Sequence, residues 1–257
     1  MSLFNKVFAS IGIGAATVDT KLERDTLVPG EAVKGIVEVR GGSVEQQIDA
    51  IYLSLFTTYL KESDDRKYTV NALIEQVRLN EPFVIKSQET KQIPFSFELP
   101  IDTPISLGRS KIWVQTGLDI KNAVDPTDKD FIKVIPNPLT EAVINVVNDL
   151  GFRLREVECE EAPYRIRKRL PFVQEFEFVP ITGTYRGKLD ELEIVFFPSS
   201  SSMTDIYMQV DRKARGLGGF LAEALEMDES HIHFTVSSGD LPSLREKINS
   251  VIQKFSL

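Results

Sequence analysis

The stretch Val28-Pro29-Gly30-Glu31-Ala32-Val33-Lys34-Gly35-Ile36-Val37-Glu38-Val39 decides the fold. Pro29 presets the first central dihedral of a type II turn, and Gly30 supplies the positive φ of the second. After the turn, Val33, Gly35, Val37 and Val39 alternate with Lys34, Glu38 and Arg40, the period-two pattern of a strand with one buried and one wet face. Upstream, Val18, Thr20 and Leu22 alternate in the same way with Asp19, Lys21 and Glu23. Downstream the period persists in Ile51, Leu53 and Leu55, then in Tyr68, Val70, Ala72 and Ile74 beyond a charged turn at 61–67. Ile93, Phe95, Phe97 and Leu99 form the clearest strand, and Pro94 within it predicts an edge position or a bulge because proline cannot donate to a ladder. Another long strand carries Ile112, Val114, Thr116, Leu118 and Ile120, and a last one runs from Phe131 to Ile135.

Pro136-Asn137-Pro138 is the best linker, since prolines restrict both themselves and the residues before them. It divides the chain into an expected N-terminal unit, 1–135, and a C-terminal unit, 136–257. In the second unit, strands are expected around Val143, Asn145 and Val147, over 153–160 and 173–179, and around Ile194, Ile206 and Ile232. Pro198-Ser199-Ser200-Ser201-Ser202 reads as a solvated hairpin loop, and 218–226 as one helical interruption. Leu244, Ile248, Val251, Ile252 and Phe255 recur at helical spacing, capped by Asp240 or Ser243 with Pro242 in the first turn, and predict an amphipathic terminal helix. Leu3, Phe4, Val7, Phe8 and Ile11 share one face of a short N-terminal helix; the rival reading is a signal peptide, with Lys6 before the apolar run and Gly14-Ala15-Ala16 near a cleavage point. The fold class is therefore all-β, two sandwiches in tandem with a helix near each end.

The 257 residues carry a net charge of −8, which argues against a dedicated nucleic-acid binder. The single cysteine, Cys159, forbids an internal disulfide and favours a reducing, cytoplasmic setting. No run is long enough and apolar enough to span a bilayer, so membrane association is expected to be peripheral if any.

The turn at Val28-Pro29-Gly30-Glu31 with the strand after it resembles the second strand of arrestin-fold proteins, and Ile93-Pro94-Phe95-Ser96-Phe97-Glu98-Leu99-Pro100 with Ile112-Trp113-Val114 is similar to that fold's long paired strands. Pro171-Phe172-Val173-Gln174-Glu175-Phe176-Glu177-Phe178 and Arg215-Gly216-Leu217-Gly218-Gly219-Phe220 resemble the arrestin-like sporulation-control family of endospore-forming bacteria. The resemblance implies two arrestin-like sandwiches and a non-enzymatic adaptor or regulator working through protein contacts in sporulation or a related envelope or division process. Its partners would be other proteins, a second copy of the chain among them, and no cofactor is expected.

His231 and His233 leave one face of a strand, but two imidazoles without a third ligand make an incomplete metal shell. Gly216-Leu217-Gly218-Gly219 lacks the Lys-Ser/Thr of a phosphate loop. Cys159 reads as a small apolar strand residue, and paired acids such as Asp64-Asp65 and Glu160-Glu161 as solvated carboxylates. An enzyme with an interdomain site would need a convergent set of titratable groups. A carbohydrate-binding or transport accessory module would find its best support in an exposed Trp113. The sharpest expectation concerns 156–169: a hairpin tip at Ala162-Pro163 would set Glu160, Glu158 and Glu156 against Arg165, Arg167 and Arg169 as a self-neutralising ladder. Failing that register, Arg165, Arg167, Lys168 and Arg169 become a basic strip for an acidic partner.

Overall fold

The computed structural model describes residues 14–63, 66–121, 124–211 and 231–255. The short N-terminal helix, Asp64-Asp65, the glycine-rich turn at 216–219 and the interruption at 218–226 lie outside them.

The type II turn forms as expected: Gly30 has a φ of 90°, and the Glu31 amide donates to the Val28 carbonyl at 3.0 Å. It joins β2 (Thr26–Leu27) to β3 (Ala32–Arg40). With β1 (Thr17–Leu22) and β7 (Thr90–Glu98), β3 makes a three-stranded antiparallel sheet, β1-β3-β7, and Pro94 sits on its β7 edge. The facing layer is organised by β4 (Gln46–Ser63), which pairs along one side with β6 (Phe83–Ile85) and β5 (Arg66–Arg78), and along the other with β8 (Ile112–Ile120). Next to β8 lies β9 (Thr127–Val134). Val33, Val37, Phe95, Ile51, Leu53, Leu55, Val114 and Leu118 fill the first core between the two layers. A Thr20–Thr116 hydroxyl pair, 2.6 Å apart, satisfies the polar groups buried there.

The chain between 143 and 147 is helical where a strand was expected. Asn137 caps α1 (Pro138–Asp149) by accepting from the Thr140 amide at 2.8 Å, and Pro138 occupies a first-turn position where its missing N–H costs nothing. Val143 and Val147 are two turns of a stripe with Leu139, so the i, i+4 spacing that also fits a strand's period two was serving a helix. The meander β10 (Phe152–Glu161), β11 (Phe172–Pro180), β12 (Glu191–Ser200), β13 (Met203–Asp211) and β14 (His231–Ser237) follows. A 3₁₀ turn at Ser238–Ser243 leads into α2 (Leu244–Phe255). Asp240 caps that turn through the Ser237 amide and hydroxyl, both at 2.7 Å. The two helices close one face of the meander over a second core of Phe176, Phe178, Ile194, Ile206, Leu244, Ile248 and Ile252. The whole is mostly β, with its sheets in a sandwich-like arrangement and the terminal helix in place.

The halves are stitched rather than merely tethered. β10 joins β4 through a parallel rung at Leu60 and Glu160, giving one continuous eleven-stranded sheet. Ile105, from the connection between β7 and β8, is buried in the second core, while Cys159 and Phe172 belong to the first. Gly108 makes this docking fit: a Cβ there would lie 2.3 Å from the Val157 carbonyl oxygen.

Candidate docking site

The basic segment sits on a ten-residue excursion between β10 and β11, not on a tight hairpin. The register sets Glu160, Glu158 and Glu156 opposite Val173, Glu175 and Glu177, so the expected ladder to Arg165, Arg167 and Arg169 does not form. The reason is Pro163. It begins a wide turn in which the Ile166 and Arg167 amides both donate to the Pro163 carbonyl, and the chain rejoins the sheet only where the Ala162 amide donates to the Pro171 carbonyl at 2.9 Å.

This loop is held at both ends. Ile166 and Ala162 bury themselves with Val173 and Val195 in a small third core against Phe197 and Tyr207. Arg169 closes a bidentate pair on Asp102, Nε to Oδ2 at 2.9 Å and Nη2 to Oδ1 at 2.6 Å, and its Nη1 donates to the Ile74 carbonyl at the β5 edge. Arg169 is therefore a fastener between the halves, not a free cation. Arg165, Arg167 and Lys168 are exposed, the first two without an ion pair among the described residues. Lys168 lies 5.9 Å from the Phe197 ring centre. Tyr164, at the crest, is 90% exposed, an aromatic that a rigid loop holds out in water.

Lys168 and Arg169 also form one lip of a cleft of about 640 Å³ where the halves meet. Its apolar walls come from Ile101 and Pro104 of the first half and Phe172, Phe176 and Phe197 of the second. Glu98 also lines it, with Glu75, which Arg169 approaches at 3.9 Å, and Asp205, which accepts from the Thr235 hydroxyl at 2.6 Å. At the wall, Thr103 is 4% exposed, and its hydroxyl has no hydrogen-bond partner. Gln174 fixes the spacing: its side chain accepts from the Ile105 amide and donates to the Ile105 carbonyl, both at 2.8 Å, and it donates to Ser110 Oγ at 3.0 Å.

Behind the loop lies a row of carboxylates for which no local signal exists in the sequence. Glu158, Glu160, Glu177, Glu191 and Glu193 are all buried on the meander. Glu160 is thus not the solvated carboxylate expected. Arg109 reaches Glu158 at 2.7 Å and Lys67 reaches Glu160 at 3.3 Å, both from the first half, and Arg155 contacts Glu177 and Glu191. Desolvation raises the Glu158 and Glu160 carboxyls against the pull of those cations.

Glu175 gains no cation of its own. Burial first, and then Glu160 and Glu191, push its carboxyl from 4.5 up to about 8. A raised carboxyl means that the native state holds a proton the unfolded chain releases, so stability present at low pH is lost as pH climbs from 4.5 through 8. Glu175→Gln is accordingly expected to unfold at the same urea midpoint as the native chain near pH 5, and to exceed it by on the order of 2 kcal/mol near pH 8.5. Parallel curves across that range would refute the assignment.

The other candidates have structural accounts. Cys159 is buried, its thiol raised to about 12 by desolvation, far from a reactive thiolate. His233 is exposed beside the Tyr207 ring, and no group of metal-binding side chains occurs among the described residues. Trp113 is 3% exposed, stacked on Phe56 at 5.6 Å and capped by the Lys129 ammonium at 3.9 Å. Its burial, with Phe131 on the other side, removes the exposed aromatic that a sugar-binding module would have used. No helix of the described residues is long and apolar enough to cross a membrane.

Comparison with known proteins places this architecture. A family model described as Spo0M, the SpoOM protein, matches residues 4–214. The chain is 44% identical over 259 residues to the sporulation-control protein spo0M of Bacillus subtilis (strain 168), with both chains covered in full. The crystal structure of Spo0M, sporulation control protein, from Bacillus subtilis matches it with a TM-score of 0.88 at 43% identity, covering 95% of this chain and 100% of that one. On the family match and on identity along its entire length, the chain belongs to the Spo0M family.

Proposed function

We propose that this chain is a non-enzymatic, cytoplasmic regulator that acts in the control of sporulation through protein contacts, docking partners on the face formed by the loop 162–171 and the cleft beside it. The observation that carries the reading is the loop itself. A segment fastened by Ile166 and Arg169 presents Tyr164, Arg165, Arg167 and Lys168 to water on a backbone whose path is already fixed, which lowers the entropic cost of ordering the loop on binding. Tyrosine and arginine are the residue types that dominate binding hot spots. On a chain of net charge −8 this is a local reversal of sign that steers an anionic surface to one place. The units 1–135, as an arrestin-like sandwich, and 136–257 serve as the rigid halves that shape the cleft, and the kinship with a sporulation-control protein supplies the process.

Complementation tests this. Expressed in a Bacillus subtilis strain lacking its relative, the chain is expected to restore the native yield of heat-resistant spores, whereas the triple variant Arg165→Glu, Arg167→Glu, Lys168→Glu at equal abundance is expected to lose at least about tenfold. A triple variant as active as the unaltered chain would overturn the docking role of the loop.

A further inference from the structure

We infer that this face binds a second copy of the chain, each protomer inserting Tyr164 into the cleft of the other. The inference rests on the reading of the loop and cleft as a docking face and names its occupant.

An occupant of the face must meet several demands together. It must bring an apolar group for the walls of Ile101, Pro104 and Phe197. It must bring a hydrogen-bonding group that reaches past those walls to the unpartnered hydroxyl of Thr103. It must offer a cation to Glu98, which lines the cleft without an ion pair among the described residues, and anions to Arg165, Arg167 and Lys168 on the loop. A purely acidic partner satisfies the loop and is repelled by Glu98. The face itself satisfies every demand: it carries the loop cations, the Glu98 carboxylate in the cleft, and a projecting tyrosine beside that cleft. Tyr164 brings an apolar ring with a polar tip, the combination for which a buried tyrosine needs a hydrogen-bond partner, and Thr103 Oγ1 is such a partner.

Placing key and lock on one surface is the condition for an isologous dimer, in which both contacts form at once about a two-fold axis and the assembly closes at two. Two reciprocally buried tyrosines contribute on the order of 150–250 Å² each, and with the loops and cleft mouths they reach the range of small, reversible interfaces.

Sedimentation equilibrium of the full chain at low salt, over about 2 to 200 µM, is expected to show mass rising from 28.9 kDa toward twice that value, with the dimer weakened when salt screens the charged groups. Tyr164→Ala, at an exposed position that leaves folding intact, is expected to weaken association more than about tenfold. Tyr164→Phe and Thr103→Val each cost about fivefold, and the two combined cost no more than either alone, because both remove the same hydrogen bond. Glu98→Lys and the pair Arg165→Glu, Arg167→Glu each weaken self-association, and an equimolar mixture of the two recovers a heterodimer in which both contacts are oppositely charged. A chain that stays monomeric throughout, or a dimer indifferent to these substitutions, overturns the inference. A monomer whose loop variants still fail to restore sporulation would overturn it while leaving the docking function intact.

Discussion

Replacing Ile248 by Asp is expected to lower the unfolding free energy by about 4–5 kcal/mol and the melting temperature by on the order of 10 °C. Ile248 is fully buried on the inner face of α2, between Leu244 and Ile252, in the core that the helix closes over the meander. The substitution removes a large apolar side chain and leaves a carboxylate with no cation in that core. Tyr185 is 1% exposed and donates to Asn249 Oδ1 at 2.7 Å, so a displaced helix also strands a buried phenol. Glu246→Ala on the exposed face of the same helix is expected to shift stability by no more than about 0.5 kcal/mol. Urea denaturation of the two variants side by side checks the contrast, and equal midpoints would show that α2 covers nothing of energetic consequence.

Gln174→Ala is expected to have the second largest effect, about 2–4 kcal/mol, concentrated where the halves meet. Three hydrogen bonds leave with the amide: the buried Ile105 N–H loses its partner, and the Ile105 carbonyl keeps only the Leu107 amide at 2.8 Å. Hydrogen exchange at the Ile105 amide is expected to accelerate by at least tenfold per about 1.4 kcal/mol lost, while amides in the middle of β3 and β8 slow or speed only with global stability. Uniform acceleration throughout the chain would mean that Gln174 supports the fold in general and not the docking of the two halves.

Alternation of side chains was enough to place strands such as β3, where buried and exposed positions alternate from Ala32 to Val37 and a one-residue slip would expose the apolar set. The Pro29-Gly30 turn was legible for the same reason, as it depends only on two adjacent residues. α1 was misread because Val143 and Val147 satisfy both periods, and Asn137, which reads as linker, is its cap. The loop was misread because a hairpin tip placed at Ala162-Pro163 ignores Ile166, whose burial in the third core pulls the chain into a wider path. The four basic residues form one group in the sequence, yet Arg169 differs from its neighbours through Asp102 and the Ile74 carbonyl, 67 and 95 positions away. The carboxylate row and the cleft had no signature at all. Glu158 and Glu160 are tolerable inside only because Arg109 and Lys67 arrive from 49 and 93 residues away.

Ile105 in the second core also sets a timetable for synthesis. Its amide waits for Gln174, 69 residues further along the chain. At about 5–20 residues per second, that interval lasts on the order of 3 to 14 seconds on the ribosome. Through it the strands of the first half can pair, but their core still lacks Leu170 and Phe172 for most of the interval, Ile105 and its unpaired amide face water, and α2 of the second core is translated later still. The nascent chain is therefore most vulnerable to aggregation late in elongation, and a pause before α2 is the one that would prolong the exposure.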